Sequence, residues 1–143
     1  MSDPDSLLGS SGRSESILEN RRSEVRYACR FKCYYTTIED EKRQLEGGET
    51  WLIGKTVDLS LHGIALIIRR PYVPGTIVVI VPLLSGWNQE RELLARVAYV
   101  RRETDEGWRV GCELVRALTQ DELVFLVGNA EYRSPVRSNE HLR

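Results

Sequence analysis

Residues 57–66 read Val57-Asp58-Leu59-Ser60-Leu61-His62-Gly63-Ile64-Ala65-Leu66. The polar segment Asp58 to Gly63 stands between two runs rich in strand-forming residues, Trp51 to Val57 and Ile64 to Arg69. Asp and Ser side chains bond nearby backbone amides and Gly admits a positive φ, so the segment reads as a turn. A connection this short suits antiparallel neighbours, because parallel strands need a long crossover.

The same pattern extends both ways. Upstream, Tyr27, Cys29, Phe31 and Cys33 alternate with Ala28, Arg30, Lys32 and Tyr34, the period of two expected of a half-buried strand. Ile38 to Thr50, with its acids, bases and Gly47-Gly48, reads as a solvated loop. Downstream come the strand-like runs Thr76 to Leu83, Glu92 to Arg102 and Trp108 to Val115. Turn chemistry separates them at Pro71 to Gly75, Ser85 to Asn88 and Thr104 to Gly107. Thr119-Gln120-Asp121-Glu122 is a capping box ahead of Leu123, Val124, Leu126 and Val127, predicting a C-terminal helix whose apolar face closes one end of the sheet. Six short strands without crossover helices give an all-β fold, barrel or sandwich. Residues 1–16, rich in Ser, Gly and Asp, are expected to be a disordered tail, residues 17–132 the domain, and residues 133–143 a flexible tail.

Composition narrows the function classes. At 143 residues, 41% hydrophobic and 29% charged, the chain is long enough for a core of its own without metal or disulfide staples. A net charge of −1 supplies no global field for DNA, RNA or membrane, so any anion site must be local. Cys29, Cys33 and Cys112 form no C-x-x-C pair, and with only His62 and His141 beside them neither a zinc site nor a disulfide framework is readable. Met1 to Ser16 has no basic and apolar leader pattern, and the apolar run Ile77 to Leu84 is too short to span a bilayer. The expected location is the cytoplasm, without membrane insertion.

Two local constellations carry chemistry. Arg21, Arg22, Arg26, Arg30 and Lys32 crowd one stretch against a single acid, Glu24. Taken alone such a run is usually a solvated edge. Guanidinium forks nevertheless match phosphate oxygens and the O6/N7 edge of guanine. Arg22 and Arg26 make R-x-x-x-R, as do Arg26 and Arg30; the first pair is preferred because it precedes the first strand. In the second constellation, Asp58-x-Ser60-x-x-Gly63, the carboxylate accepts from a base edge or orients an arginine. The hydroxyl donates to a ligand oxygen, and glycine lets a ligand approach the backbone. By contrast Gly48 to Thr56 imitates a phosphate loop but carries one residue too many between its glycines and continues as a strand. No G-x-S-x-G is present and none of the acidic pairs falls into a known acid/base arrangement, so no catalytic residue is assigned. Trp51, Trp87 and Trp108 are expected to pack the barrel or cap its ends.

Together, R-x-x-x-R followed by D-x-S-x-x-G resembles the PilZ domain, over about Asn20 to Val127. Pro74-Gly75-Thr76, Ala95 to Val100 and Trp108 to Leu114 fall where that family has its later strands. Leu114 replaces a common Phe, which bears on packing. The resemblance implies a six-stranded antiparallel β-barrel with a C-terminal α-helix and a receptor for cyclic di-GMP, with no enzymatic activity. It also implies the ligand contacts: Arg21, Arg22 and Arg26 from the N-terminal segment, and Asp58, Ser60 and Gly63 from the barrel. An arginine at the place of Arg21 goes with an intercalated ligand dimer in such domains. Tyr99 either stacks on a guanine or only packs. The expected mechanism is an ordering of residues 17–26 on ligand binding, read by an unidentified downstream protein partner. The alternative is a PilZ-like adaptor that binds a protein and not the nucleotide.

Overall fold

The computed structural model of the protein describes residues 24–44, 51–103 and 107–136. Arg21, Arg22 and the expected tail 1–16 lie outside the described residues. The elements are β1 (Arg26–Thr37), α1 (Ile38–Gln44), β2 (Leu52–Leu59), β3 (Gly63–Ile68), β4 (Ile77–Pro82), β5 (Leu93–Glu103), β6 (Gly107–Leu114), α2 (Gln120–Asn129) and β7 (Tyr132–Val136). The strands run in the order β2-β3-β6-β5-β4-β1-β7, and a further pairing of β2 with β1 closes six antiparallel strands into a ring.

Alternation puts one face of each of β1 to β6 inside that ring. Cys29, Phe31, Cys33, Leu59, Ile64, Leu66, Val78, Ile80, Ala95, Val97 and Val110 make the core. A second, smaller cluster of Val57, Ala65 and Ile67 forms on the opposite face of the sheet. The capping box of α2 is complete: Glu122 N donates to Thr119 Oγ1 and Thr119 N to Glu122 Oε1, each at 3.0 Å. Arg91 clamps the same carboxylate at 2.7 and 3.1 Å, while Leu123 and Leu126 enter the core. Trp87 packs against Phe125 at 5.9 Å, Trp51 edges Tyr34, and Arg102 lies 5.1 Å over Trp108.

The structure departs from the sequence expectations in three places. Ile38–Gln44, expected to be loop, is a short helix: Asp40 N donates to Thr37 Oγ1 at 3.1 Å, and Glu39, Asp40 and Glu41 fill the first turn, where the helix dipole favours acids. Residues 133–136, placed in the tail, belong to β7, which pairs with Arg26–Arg30. On that side of β1, β4 covers only Cys33–Thr37, so the first half of the strand offers backbone groups to a partner. A strand recruited by backbone hydrogen bonds need not announce itself through hydrophobic pattern. Third, Asp58 is within β2, and only Ser60 to His62 form the turn.

Candidate functional site on the outer face of the ring

Two β-bulges decide what faces outward. Thr56 opposes Leu66 while Asp58 opposes the next residue, Ala65, so Val57 is an extra residue in β2. Strict alternation would put Asp58 on the same face as Thr56, which is fully buried; the extra residue reverses the parity and turns Asp58 outward. Across the sheet the same occurs in β5. Val97 opposes Cys112 and Tyr99 opposes Gly111, with Ala98 extra. Val97 stays in the core, and Tyr99 turns out, 42% exposed.

Register then lines these residues up. Ala28, Asp58, Ala65, Gly111 and Tyr99 are successive cross-strand neighbours through β1, β2, β3, β6 and β5. The middle of the row is small, and there a hollow of about 120 Å³ opens, bordered by Arg26, Asp58, Ser60, Ala98 and Tyr99 among others. Such a volume holds one chemical group; whole ligand pockets run to several hundred Å³. Tyr99 lies on Gly111, where an added Cβ would stand 2.0 Å from the ring.

Arg26 and Asp58 form an ion pair through Arg26 NH2 and Asp58 Oδ2, with a weaker contact from Nε to Oδ1 at 3.4 Å. Arg109 NH2 approaches the same Oδ2 at 3.5 Å. The buried Nε of Arg109 has no hydrogen-bond partner among the described residues, an unmet donor beside the hollow. In the turn, Ser60 N donates to Gly63 O at 2.9 Å and Gly63 N to Ser60 Oγ at 3.1 Å. Gly63 is not a positive-φ glycine; those are Gly75, Gly86 and Gly107. Its reason is space, since a Cβ would come within 3.3 Å of Cys112 O. Glu24 reaches over this turn: its Oε1 accepts from Ser60 Oγ at 2.7 Å and from His62 N at 3.3 Å, and its Oε2 from His62 Nδ1 at 2.8 Å.

Of the residues expected from sequence, Arg26, Asp58, Ser60, Gly63 and Tyr99 therefore meet around one hollow. Arg21 and Arg22 lie outside the described residues. Arg109, Glu24 and His62 were not expected. Arg109 is a cation between core residues of a strand, and only its register to Ile67 and Arg101 puts it on this face. Cys29, Cys33 and Cys112 are buried and form no disulfide. Burial pushes the thiols of Cys33 and Cys112 up to about 12, far from thiolate nucleophiles. Among the described residues no His, Cys, Asp and Glu group is arranged to hold a metal, and no helix is long and apolar enough to cross a membrane. A separate groove of about 490 Å³ is bordered by Lys32, Ile53, Lys55, Arg69, Arg102 and Trp108 among others, and shares no residue with the hollow.

Six antiparallel strands closed into a ring, with an arginine–aspartate pair on the outer face, define the class of fold. The profile of the PilZ domain matches residues 20–127, and the chain belongs to that family. PilZ domains are in general receptors for cyclic di-GMP and adaptors, not enzymes. Among solved structures, the chain is similar to the Bacillus subtilis inhibitor of motility, MotI/DgrA, at 16% identity and a TM-score of 0.52. The likeness covers 74% of this chain and 48% of that one, so it spans about half of that protein's length. No curated protein sequence is a significant match.

Proposed function

We propose that this chain is a receptor for cyclic di-GMP that binds on the outer face of the ring and passes the signal to a protein partner. The observation that carries the reading is the Arg26–Asp58 ion pair, which joins motifs 32 residues apart into one site. Arg22 and Arg26 supply guanidinium forks to phosphates and guanine edges. Asp58 accepts from a guanine N–H or holds Arg26 in place, Ser60 donates to a ligand oxygen, and Gly63 leaves the backbone open. Tyr99, flat on Gly111 and 42% exposed, offers a stacking face to a base.

Arg21 sits directly before the clamp and is assigned to a second, intercalated nucleotide. In the bound state residues 17–26 close over the ring, a population shift set by how much better the ligand binds the closed form. The closed surface is what a partner reads. The test is calorimetric titration of cyclic di-GMP into wild type, Arg26→Ala and Asp58→Ala. Saturable heat with a stoichiometry near two, lost in both variants, is the expected result. A silent wild type contradicts the receptor reading and leaves the protein-binding adaptor.

A further inference from the structure

The residue at the centre of the R-x-x-x-R motif is an acid. Glu24 lies between Arg22 and Arg26, and its carboxylate spans the turn after β2 with both oxygens engaged. Ser60 Oγ, His62 N and His62 Nδ1 all point at it, at 2.7, 3.3 and 2.8 Å. A carboxylate only accepts, so His62 presents its Nδ1–H to Glu24. The Glu24 side chain is 15% exposed and that of His62 46%, so the contact sits at the rim, where a ligand arrives.

We propose that Glu24 is a resident competitor of the ligand: its carboxylate fills the Ser60 and His62 donors in the ligand-free chain and must leave before an anionic nucleotide takes them. The proposal rests on the receptor reading above. A phosphodiester and a carboxylate are both acceptor-only anions, and one Ser60 hydroxyl cannot donate to both at once. Placed side by side the two anions also repel. The chain is thereby divided between a latched form, with Glu24 on Ser60 and His62, and an open form that admits ligand. Apparent affinity is the intrinsic affinity scaled by the open fraction. Glu24 thus sets the nucleotide concentration at which the receptor responds. It does so from a position two residues before Arg26, the residue paired with Asp58.

The experiment is calorimetric titration of cyclic di-GMP into wild type, Glu24→Gln and His62→Ala, with the ring signals of His62 followed by NMR. Glu24→Gln keeps the shape and removes the charge, and should tighten binding about tenfold, the gain expected when a form populated near one part in ten becomes dominant. His62→Ala removes one arm of the latch and should tighten binding less; added to Glu24→Gln it should give no further gain. On saturation, the His62 ring signals of wild type should move as the ring exchanges the Glu24 carboxylate for the ligand, and those of unliganded Glu24→Gln should already differ from unliganded wild type. If wild type binds and Glu24→Gln binds equally or more weakly, Glu24 is a positioning residue for the arginines and the competitor is overturned, with the receptor reading intact. If neither protein binds, the receptor reading and the competitor fall together.

Discussion

At the scale of single residues, the site depends on small side chains as much as on charged ones. Gly111 shows why. It gives the Tyr99 ring a flat seat, and a Cβ there would overlap Cε2 at 2.0 Å. Because Tyr99 is 42% exposed, its ring can swing away, so Gly111→Ala should change stability little. The same swing removes the stacking face, worth about 1–3 kcal/mol per base. Gly111→Ala should therefore weaken cyclic di-GMP about tenfold, and Tyr99→Ala by a similar factor, with melting temperatures near wild type. Equal affinity in all three proteins would return Tyr99 to a packing role. Asp58, Ser60 and Gly63 were legible in sequence because their spacing is a motif. Gly111 and Arg109 were not, since they enter the site only through cross-strand register.

At the scale of elements, the sequence shows the existence of β1 to β6 and hides their parity. Period-two counting from Thr56 puts Asp58 inside the ring, and counting from Val97 puts Tyr99 there too. The bulges at Val57 and Ala98 reverse both, and no local composition marks a bulge of this kind. Helix α2 is the opposite case, written in full by Thr119 and Glu122. The hydrogen bonds from Arg91, opposed in part by burial, hold the Glu122 carboxyl below its ordinary range. A depressed carboxyl stabilises the fold above its unfolded titration range, and that stability is lost as pH falls through the folded one. Glu122→Ala removes the N3 half of the cap and both Arg91 bonds, and should cost about 1–2 kcal/mol at pH 7. Denaturant titrations at pH 7 and in acid should show the gap to wild type closing as pH falls. A gap that stays constant would mean the lost packing, not the charge, is responsible.

At the scale of the whole molecule, the ring was legible and the strand β7 added at the edge of β1 was not. Six strands, their order along the chain and the closing helix followed from alternation, turn residues and a cap. The seventh strand, with Pro135 opposite Tyr27, occupies an edge where the backbone groups of β1 are open to pairing. That arrangement puts Tyr27 and Ala28 between two partners, β2 and β7, and pairs Arg26 with Val136 of β7. The outcome is an outer face on which Arg26, Asp58 and Tyr99 border one hollow, with Glu24 seated on the turn at Ser60 beside it. The most direct measurement of this account is a ¹H–¹⁵N NMR titration of the full chain with cyclic di-GMP. The account predicts that the largest shifts fall on the row of Asp58, Ser60, Ala65, Tyr99 and Gly111, with Lys32, Ile53 and Trp108 of the separate groove unmoved. An unchanged spectrum, or shifts centred on that groove, would contradict it.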